Sequence, residues 1–485
     1  MTLLEHIREY WPHIAGAVSL LVTIIASGHA ILYKRDARAA VGWTGVIVLA
    51  PFVGGVLYFL FGINRIQRKA TVLRAESGRV REPRITFEAS PHDLARILPP
   101  EARHLEPLGR FVQKLSGRSL LLGNRLAPLR DGDEAYDAMI AEIEGARESV
   151  TLVTYLFNHD EAGLAFRDAL ARAAARGVEV RVLIDAVGAR YSWPSMLRAL
   201  TRAGIRAAPF LRTLLPWRMK YMNLRNHRKI LVADGRVGFT GGMNVSAANR
   251  IALRPRHPVR DLHFRVEGPV VAHLQQTFAE DWAFATTEVL EGDRWFPELT
   301  ARGPSLARGI PDGPDIPLDS LRWTILGALD NARNRVSIVT PYFVPDDSLV
   351  TALNLAAMSG VAVDIFLPEK NNLFLVKWAS TAILWQILLR GCRVWSTPPP
   401  FDHTKLMIVD GAWAFLGSAN WDARSLRLNF EFNLECYDAE LAASLEEQVE
   451  ERRRSARPIT LEEVDGRTVP VRLRDGVARL LSPYL

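Results

Sequence analysis

The 485-residue chain predicts an α/β fold: two pseudo-twofold-related α/β sandwich units with mixed sheets, preceded by a hairpin of two transmembrane helices. Three observations predict it. Two long apolar stretches free of Asp, Glu, Lys and Arg occupy the N-terminus. After them, helix-like periods alternate with short apolar strands. That alternation runs twice, with the same polar residues at the same spacings.

The apolar stretches are residues 14–33 (IAGAVSLLVTIIASGHAILY) and 41–63 (VGWTGVIVLAPFVGGVLYFLFGI), each long enough to span a bilayer. A signal peptide is the competing reading for the first. Its run is longer than an ordinary h-region, and a second run follows at once. Three basic residues lie between the stretches, in KRDARAA, and Arg65, Arg68, Lys69, Arg74 and Arg79 follow the second, against Arg8 before the first. A hairpin leaves both termini on one side of the membrane, and the basic count makes that side cytoplasmic. The anchor is thus expected over 1–63, a basic, proline-containing connector over 64–130, the first unit over 131–300, a Gly/Pro-rich linker over 301–317 and the second unit over 318–485.

The duplication is plainest in HRKILVADGRVGFTGGMN, 227–244, and HTKLMIVDGAWAFLGSAN, 403–420. His227, Lys229, Asp234, Gly241 and Asn244 recur as His403, Lys405, Asp410, Gly417 and Asn420. ARESVTLVTYLF likewise resembles ARNRVSIVTPYF, and RGVEVRVLID resembles SGVAVDIFLP. Each unit reads as helix, strand, a helix ending at Gly177 or Gly360, a second strand, and a hairpin. Strand side chains alternate, so each His shares a face with the Lys two positions on. A shared cleft would hold two of each.

Two lysines, with Asn244 and Asn420 as neutral donors, suit phosphate oxygens. One imidazole can attack phosphorus while the other protonates the leaving alkoxide and then activates the incoming alcohol. The lysines would stabilise the transition-state charge, and neither motif has the ligand pattern of a magnesium or zinc site. No metal or cofactor is expected. Past the asparagines, RDLHFRVEGP lies opposite NFEFNLECYD, pairing Asp261 with Glu431 as lone acids in apolar strands. A buried carboxylate requires a partner, and these two are expected to orient His227 and His403. Asp234 and Asp410 precede glycine, a frequent turn choice, which suggests support of the site.

These motifs resemble the phospholipase D superfamily, and their surroundings are similar to the bacterial cardiolipin synthase family. The likeness extends to GNRLAPLRDGDEAYDAMIAEIEGA, YLFNHDEAG, FAEDW and SLRLNFEFNLECYD. It implies two phospholipase D-like units with a catalytic set of His227, Lys229, Asp234, His403, Lys405 and Asp410. His227 would be the nucleophile and His403 the acid/base, with Asn244, Asn420 and Ser418 binding phosphate. Gly242 stands where the second motif has Ser418, so one hydroxyl is missing. The implied reaction converts two phosphatidylglycerol molecules to cardiolipin and glycerol at the bacterial cytoplasmic (inner) membrane, in a multi-pass protein. Hydrolysis, another donor or alcohol, and a nuclease are the alternatives; a double membrane anchor disfavours the last, and an inactive scaffold would show a damaged motif.

Composition agrees. A formal net charge of +7 suits an anionic surface, and Cys392 and Cys436, far apart in apolar segments, read as packing residues. Residues 210–229 mix basic and aromatic residues in a way that suits a lipid interface, and the apolar 372–390 reads first as a core helix.

Overall fold

The computed structural model describes residues 3–34, 37–62, 87–211, 225–314 and 319–482. Expectations placed on 63–86 and 212–224, including the first third of the basic connector and most of the basic-aromatic segment, lie outside the described residues. The chain divides into an N-terminal unit within residues 1–72 and a unit that contains the described residues from 87 onward.

In the N-terminal unit, α1 (Leu3–Tyr33) packs against α2 (Ala37–Leu49) and α3 (Pro51–Leu57). Among the described residues, one helix, Tyr10–Tyr33, is long and apolar enough to cross a membrane. The second expected span is not one continuous helix. Pro51 has no N–H to donate and its ring clashes with the preceding turn; the backbone breaks at Ala50 (φ −144°, ψ 74°), and the segment ends in a π-turn, Tyr58–Gly62. His29 Nδ1 meets the Tyr58 hydroxyl at 2.8 Å, tying α1 to that last turn.

The larger unit is organised by one 15-stranded sheet. The first half contributes β1 (Leu121–Arg130), β2 (Ser149–Thr154), β3 (Glu179–Asp185), β4 (Arg206–Phe210), β5 (Ile230–Ala233), β6 (Val237–Gly241), the short β7 (Val259–Arg260) and β8 (Leu262–Glu267). The second contributes β9 (Ser305–Asp312), β10 (Arg335–Val339), the short β11 (Phe343–Val344), β12 (Ala362–Pro368), β13 (Arg393–Thr397), the short β14 (Phe401–Asp402), β15 (Leu406–Val409), β16 (Trp413–Gly417), the short β17 (Trp421–Asp422), β18 (Glu431–Tyr437) and β19 (Arg457–Ile459). The order is β19-β13-β12-β10-β15-β16-β18-β9-β1-β8-β6-β5-β2-β3-β4. Except for β19, it reads the same from either side of the β9–β1 junction. Parallel pairs β2–β3, β3–β4, β10–β12 and β12–β13 flank antiparallel strands, so the sheet is mixed as expected.

The junction corrects the expected linker and connector. Residues 305–312 form β9, and 121–130 form β1, the two strands at the centre of the pseudo-symmetry. In β9 the apolar run is interrupted by Arg308, Gly309, Pro311 and Asp312, and all eight residues are nevertheless buried. Arg308 is wholly buried because Glu435 Oε1 accepts from its Nε at 2.5 Å and the Gly109 and Arg118 carbonyls accept from its other nitrogens. A buried charge persists when it is paired and hydrogen-bonded.

Helices cover both faces. Phe166, Ala169 and Leu170 of helix Glu161–Ala175 pack on the first half, and Leu349, Val350 and Leu353 of helix Asp347–Met358 on the second. Helix Phe374–Thr381 and helix Leu384–Leu388 bury Val376, Ala379, Leu384 and Ile387 in that second core, so the apolar segment 372–390 is mainly a core element. Cys392 and Cys436 are buried free thiols.

Candidate active site

Each His-Lys pair lies just before the first strand of its hairpin, β5–β6 or β15–β16. Tight turns at Asp234-Gly235 and Asp410-Gly411 join the hairpin strands, with both residues of each turn at positive φ. The opposite ends of the hairpins carry the chemistry, where strand alternation keeps His and Lys on one side.

Two short backbone pairings bring the halves together there. β14 pairs in parallel with β7, and Asn226 forms a parallel bridge with Phe430. His403 N–H donates to the Arg260 carbonyl at 2.7 Å and His227 N–H to the Phe430 carbonyl at 2.9 Å. Each histidine therefore sits beside the acid of the opposite half. His227 Nδ1 is 3.0 Å from both Oε1 and Oε2 of Glu431, and His403 Nδ1 is 2.8 Å from Asp261 Oδ2. The two acids anticipated from the alignment are in place, and the pairing is crossed.

A histidine that donates Nδ1–H to a carboxylate keeps its Nε2 lone pair for chemistry. Both imidazoles are held well below their ordinary pKa, first by burial and then by the lysine charges. Lys229, 2% exposed, donates Nζ–H to the His227 carbonyl at 2.7 Å, and its Nζ lies 5.7 Å from the Tyr155 ring centre. Lys405, 5% exposed, donates to the His403 carbonyl and brings Nζ within 3.0 Å of His403 Nδ1. Burial lowers Lys229 to about 7 and Lys405 to about 8. The same burial raises Glu431 to about 7 and Asp261 to about 8, opposed by the lysines. An entering phosphate monoanion would favour the charged form of both lysines. Tyr155 stands edge-on to His227 (ring centres 5.4 Å apart) and Tyr342 to His403 (6.1 Å).

Several residues of the expected set have protein partners of their own. Ser418 is fully buried and donates its Oγ–H to Glu431 Oε2 at 2.5 Å, while Asn429 Nδ2 donates to Oε1 at 3.0 Å, so the serine helps to hold that carboxylate. At Gly242 a Cβ would lie 2.3 Å from Asp261 Oδ1, so the carboxylate itself occupies the space a serine would need. Asp234 and Asp410 lie at the far ends of the hairpins, roughly 20 Å along the strand from the histidines at about 3.3 Å per residue. Asp234 accepts from the N–H groups of Arg147, Glu148 and Ser149, and Asp410 from those of Arg333, Asn334 and Arg335. There each ties its turn to the backbone that leads into the neighbouring strand, β2 or β10. His104 adds a buried 2.6 Å contact to Asp410, a partner with no signal in either motif.

The asparagines also differ. Asn244 Oδ1 accepts from Leu156 N–H at 3.1 Å, which turns its amide nitrogen to the other side. Asn420 Nδ2 donates to Ser425 Oγ at 3.2 Å, and its Oδ1 is buried with no donor among the described residues.

The family model described as cardiolipin synthase, PLD-like domain, matches residues 139–282 and 325–453, which takes in both His-Lys hairpins and both acids. The chain belongs to the cardiolipin synthase family of the phospholipase D superfamily. A second model, phospholipase D-nuclease N-terminal, matches 21–62. The cardiolipin synthase of Geobacillus thermodenitrificans is 32% identical, over 100% of this chain and 97% of that protein. Cardiolipin synthase A of Pseudomonas putida is also 32% identical, with 99% of each chain covered. Among solved structures, the phosphatidylserine synthase of Haemophilus influenzae shares the fold, with TM-score 0.62 at 16% identity over 78% of this chain and 100% of that one. As a member of this family the protein is an enzyme of the phospholipase D superfamily.

Proposed function

We propose that this enzyme is a membrane-bound phosphatidyltransferase that converts two phosphatidylglycerol molecules to cardiolipin and glycerol. The observation that carries the reading is the crossed pair of carboxylate-held histidines between two buried lysines.

His227 Nε2 attacks the phosphorus of the first lipid. The P–N bond forms as the P–O bond to glycerol breaks, and His403, protonated at Nε2, gives its proton to the departing oxygen. The anionic substrate raises the His403 pKa against the burial that lowers it. His403 then takes the proton of the incoming primary hydroxyl, whose oxygen attacks phosphorus and releases His227. Lys229 and Lys405 face the non-bridging oxygens, where charge develops. Glu431 and Asp261 fix the tautomers, and the Asn244 amide nitrogen supplies a neutral donor. Asn420 would join it if Ser425 turned its hydroxyl to donate to Oδ1.

Helix α1 and the broken helix 37–62 form the proposed membrane hairpin, with both termini and the catalytic unit on the cytoplasmic side. A break inside a span is tolerated when neighbouring groups satisfy the freed backbone. The boundary between the two catalytic halves is placed between β8 and β9.

The test is product analysis by mass spectrometry of purified protein in detergent with labelled phosphatidylglycerol and EDTA. Cardiolipin and glycerol in equal amounts are expected. Phosphatidic acid as the main product would assign water as the acceptor and contradict the transferase reading.

A further inference from the structure

The helix Val469–Leu480 has two unlike faces. Ala478 and Asp475 are buried and Val471 is partly so, which makes theirs the docked face. Val469, Leu473, Val477 and Leu480, at spacings of four, four and three residues, share the other face and are 76%, 67%, 54% and 77% exposed. Leu481, just beyond, is exposed as well. At about 100° per residue, Arg474 borders this stripe on one side, and Arg472 and Arg479 border it on the other. The helix carries those three arginines against one acid, Asp475.

The docked face fixes the helix to the second catalytic half. Asp475 is held by Arg467 and by Arg474, whose Nη2 is 2.7 Å from Oδ1. The helix packs on Phe374–Thr381, where the Arg474 guanidinium lies 4.4 Å from the Trp378 ring centre. Apolar exposure continues there, at Leu373 and Phe374. Asn372, the residue before them, accepts from the Tyr342 hydroxyl at 2.7 Å, and Tyr342 is the ring that stands edge-on to His403. The exposed stripe therefore belongs to a helix packed on an element that begins at the rim of the cleft.

An exposed apolar stripe of this kind marks an interaction surface, and the arginine borders choose its occupant. A second copy related by a twofold axis would set these arginines against their own counterparts. An anionic bilayer instead takes the apolar side chains into the acyl boundary and the arginines at its phosphates. Resting on the membrane-bound reading above, we propose that Val469–Leu480 is an interfacial helix that docks the catalytic unit on the surface of an anionic bilayer. Through Phe374–Thr381 it ties that docking to the rim of the cleft.

The test uses full-length enzyme in nanodiscs of phosphatidylglycerol and phosphatidylcholine, with a fluorophore on Leu473→Cys or, in a second sample, Val477→Cys. The native thiols are buried, so the exposed new thiol takes the label. Quenching by lipids brominated in the acyl chain and protection from aqueous iodide are expected at both positions, with weaker lipid quenching in Arg472→Glu. Quenching by iodide and not by lipid overturns the proposal. Protection from both quenchers also overturns it, and a Leu473→Cys disulfide dimer would then assign the face to a second copy. A kinetic reading accompanies these. Leu473→Glu with Val477→Glu is expected to lower kcat/KM ~10-fold or more on bilayer phosphatidylglycerol, from the lost apolar insertion, and to leave turnover of the same lipid in detergent micelles within about twofold. An equal loss in bilayer and micelle contradicts docking. An enzyme that does not remain with the nanodisc in high salt contradicts the membrane-bound reading itself, whereas a retained enzyme with a water-exposed label contradicts the docking helix alone.

Discussion

Apart from β19, the first and second halves of the catalytic sheet carry the same strands in the same order, yet they hold their histidines differently. His227 rests on Glu431, whose two oxygens are themselves fixed by Ser418 and Asn429. His403 rests on Asp261, one methylene shorter, and shares its Nδ1 neighbourhood with Lys405 at 3.0 Å. A nucleophile needs one tautomer held firmly, whereas an acid/base must change protonation within each turnover. Duplication supplies a symmetric frame, and Gly242 against Ser418 and Arg225 against Phe401 are departures from it.

Removing charge from the frame should have the largest effect. Lys229→Ala or Lys405→Ala is expected to lower kcat ~10²- to 10³-fold, as for loss of one transition-state donor; a loss below tenfold would mean these lysines do not reach the phosphate. The same lysines set a pH limit. Burial depresses both, so their charge is present below about 7 for Lys229 and about 8 for Lys405 and is lost above. The kcat/KM profile of the free enzyme should begin to fall near 7, where the Lys229 charge is lost, and Lys229→Arg should extend it to higher pH.

The crossed carboxylates come next. Glu431→Gln should slow formation of the phosphoenzyme and Asp261→Asn its breakdown, each by ~10²-fold or more, since a misplaced tautomer is costly. Rapid-quench kinetics separates the steps. If each acid served the histidine of its own half, the pattern would be reversed.

The departures from symmetry give smaller effects. Gly242→Ser must move the Asp261 carboxylate, because its Cβ falls 2.3 Å from Oδ1; it should lower kcat more than Ser418→Gly, which removes one hydrogen bond to Glu431 and costs ~10-fold. Smallest for turnover are the turn aspartates. Asp234→Asn and Asp410→Asn should lower thermal stability by about 1–3 kcal/mol with kcat within a few-fold of wild type, and Asp410→Asn should cost more because it also loosens His104.

How much of this was legible in the sequence varied with the physics of each element. The His-Lys hairpins stood out because polar residues at fixed spacing interrupt an apolar frame, and alignment of the units then exposed Asp261 and Glu431. Their crossing could not be read, since it depends on β14–β7 and Asn226–Phe430, backbone contacts between residues far apart in the chain. Strands β1 and β9 were hidden for a different reason. Arg308, Pro311 and Asp312 look like a loop until Glu435 and two carbonyls are in place to receive the arginine. The break in the second apolar span did have a visible signal, Pro51, which length and apolarity outweighed. The task of Ser418 had none, because a serine after glycine reads equally well as a phosphate donor or a carboxylate support.

The central claim is that a phosphatidyl group passes through His227, with His403 completing the exchange. The direct measurement is rapidly quenched attachment of label from phosphatidylglycerol, kept out of acid because a P–N bond to histidine is acid-labile, in wild type, His227→Ala and His403→Ala, with the labelled peptide mapped. The account predicts label on His227 that accumulates in His403→Ala and is absent in His227→Ala. Label on His403 that persists in His227→Ala would contradict it.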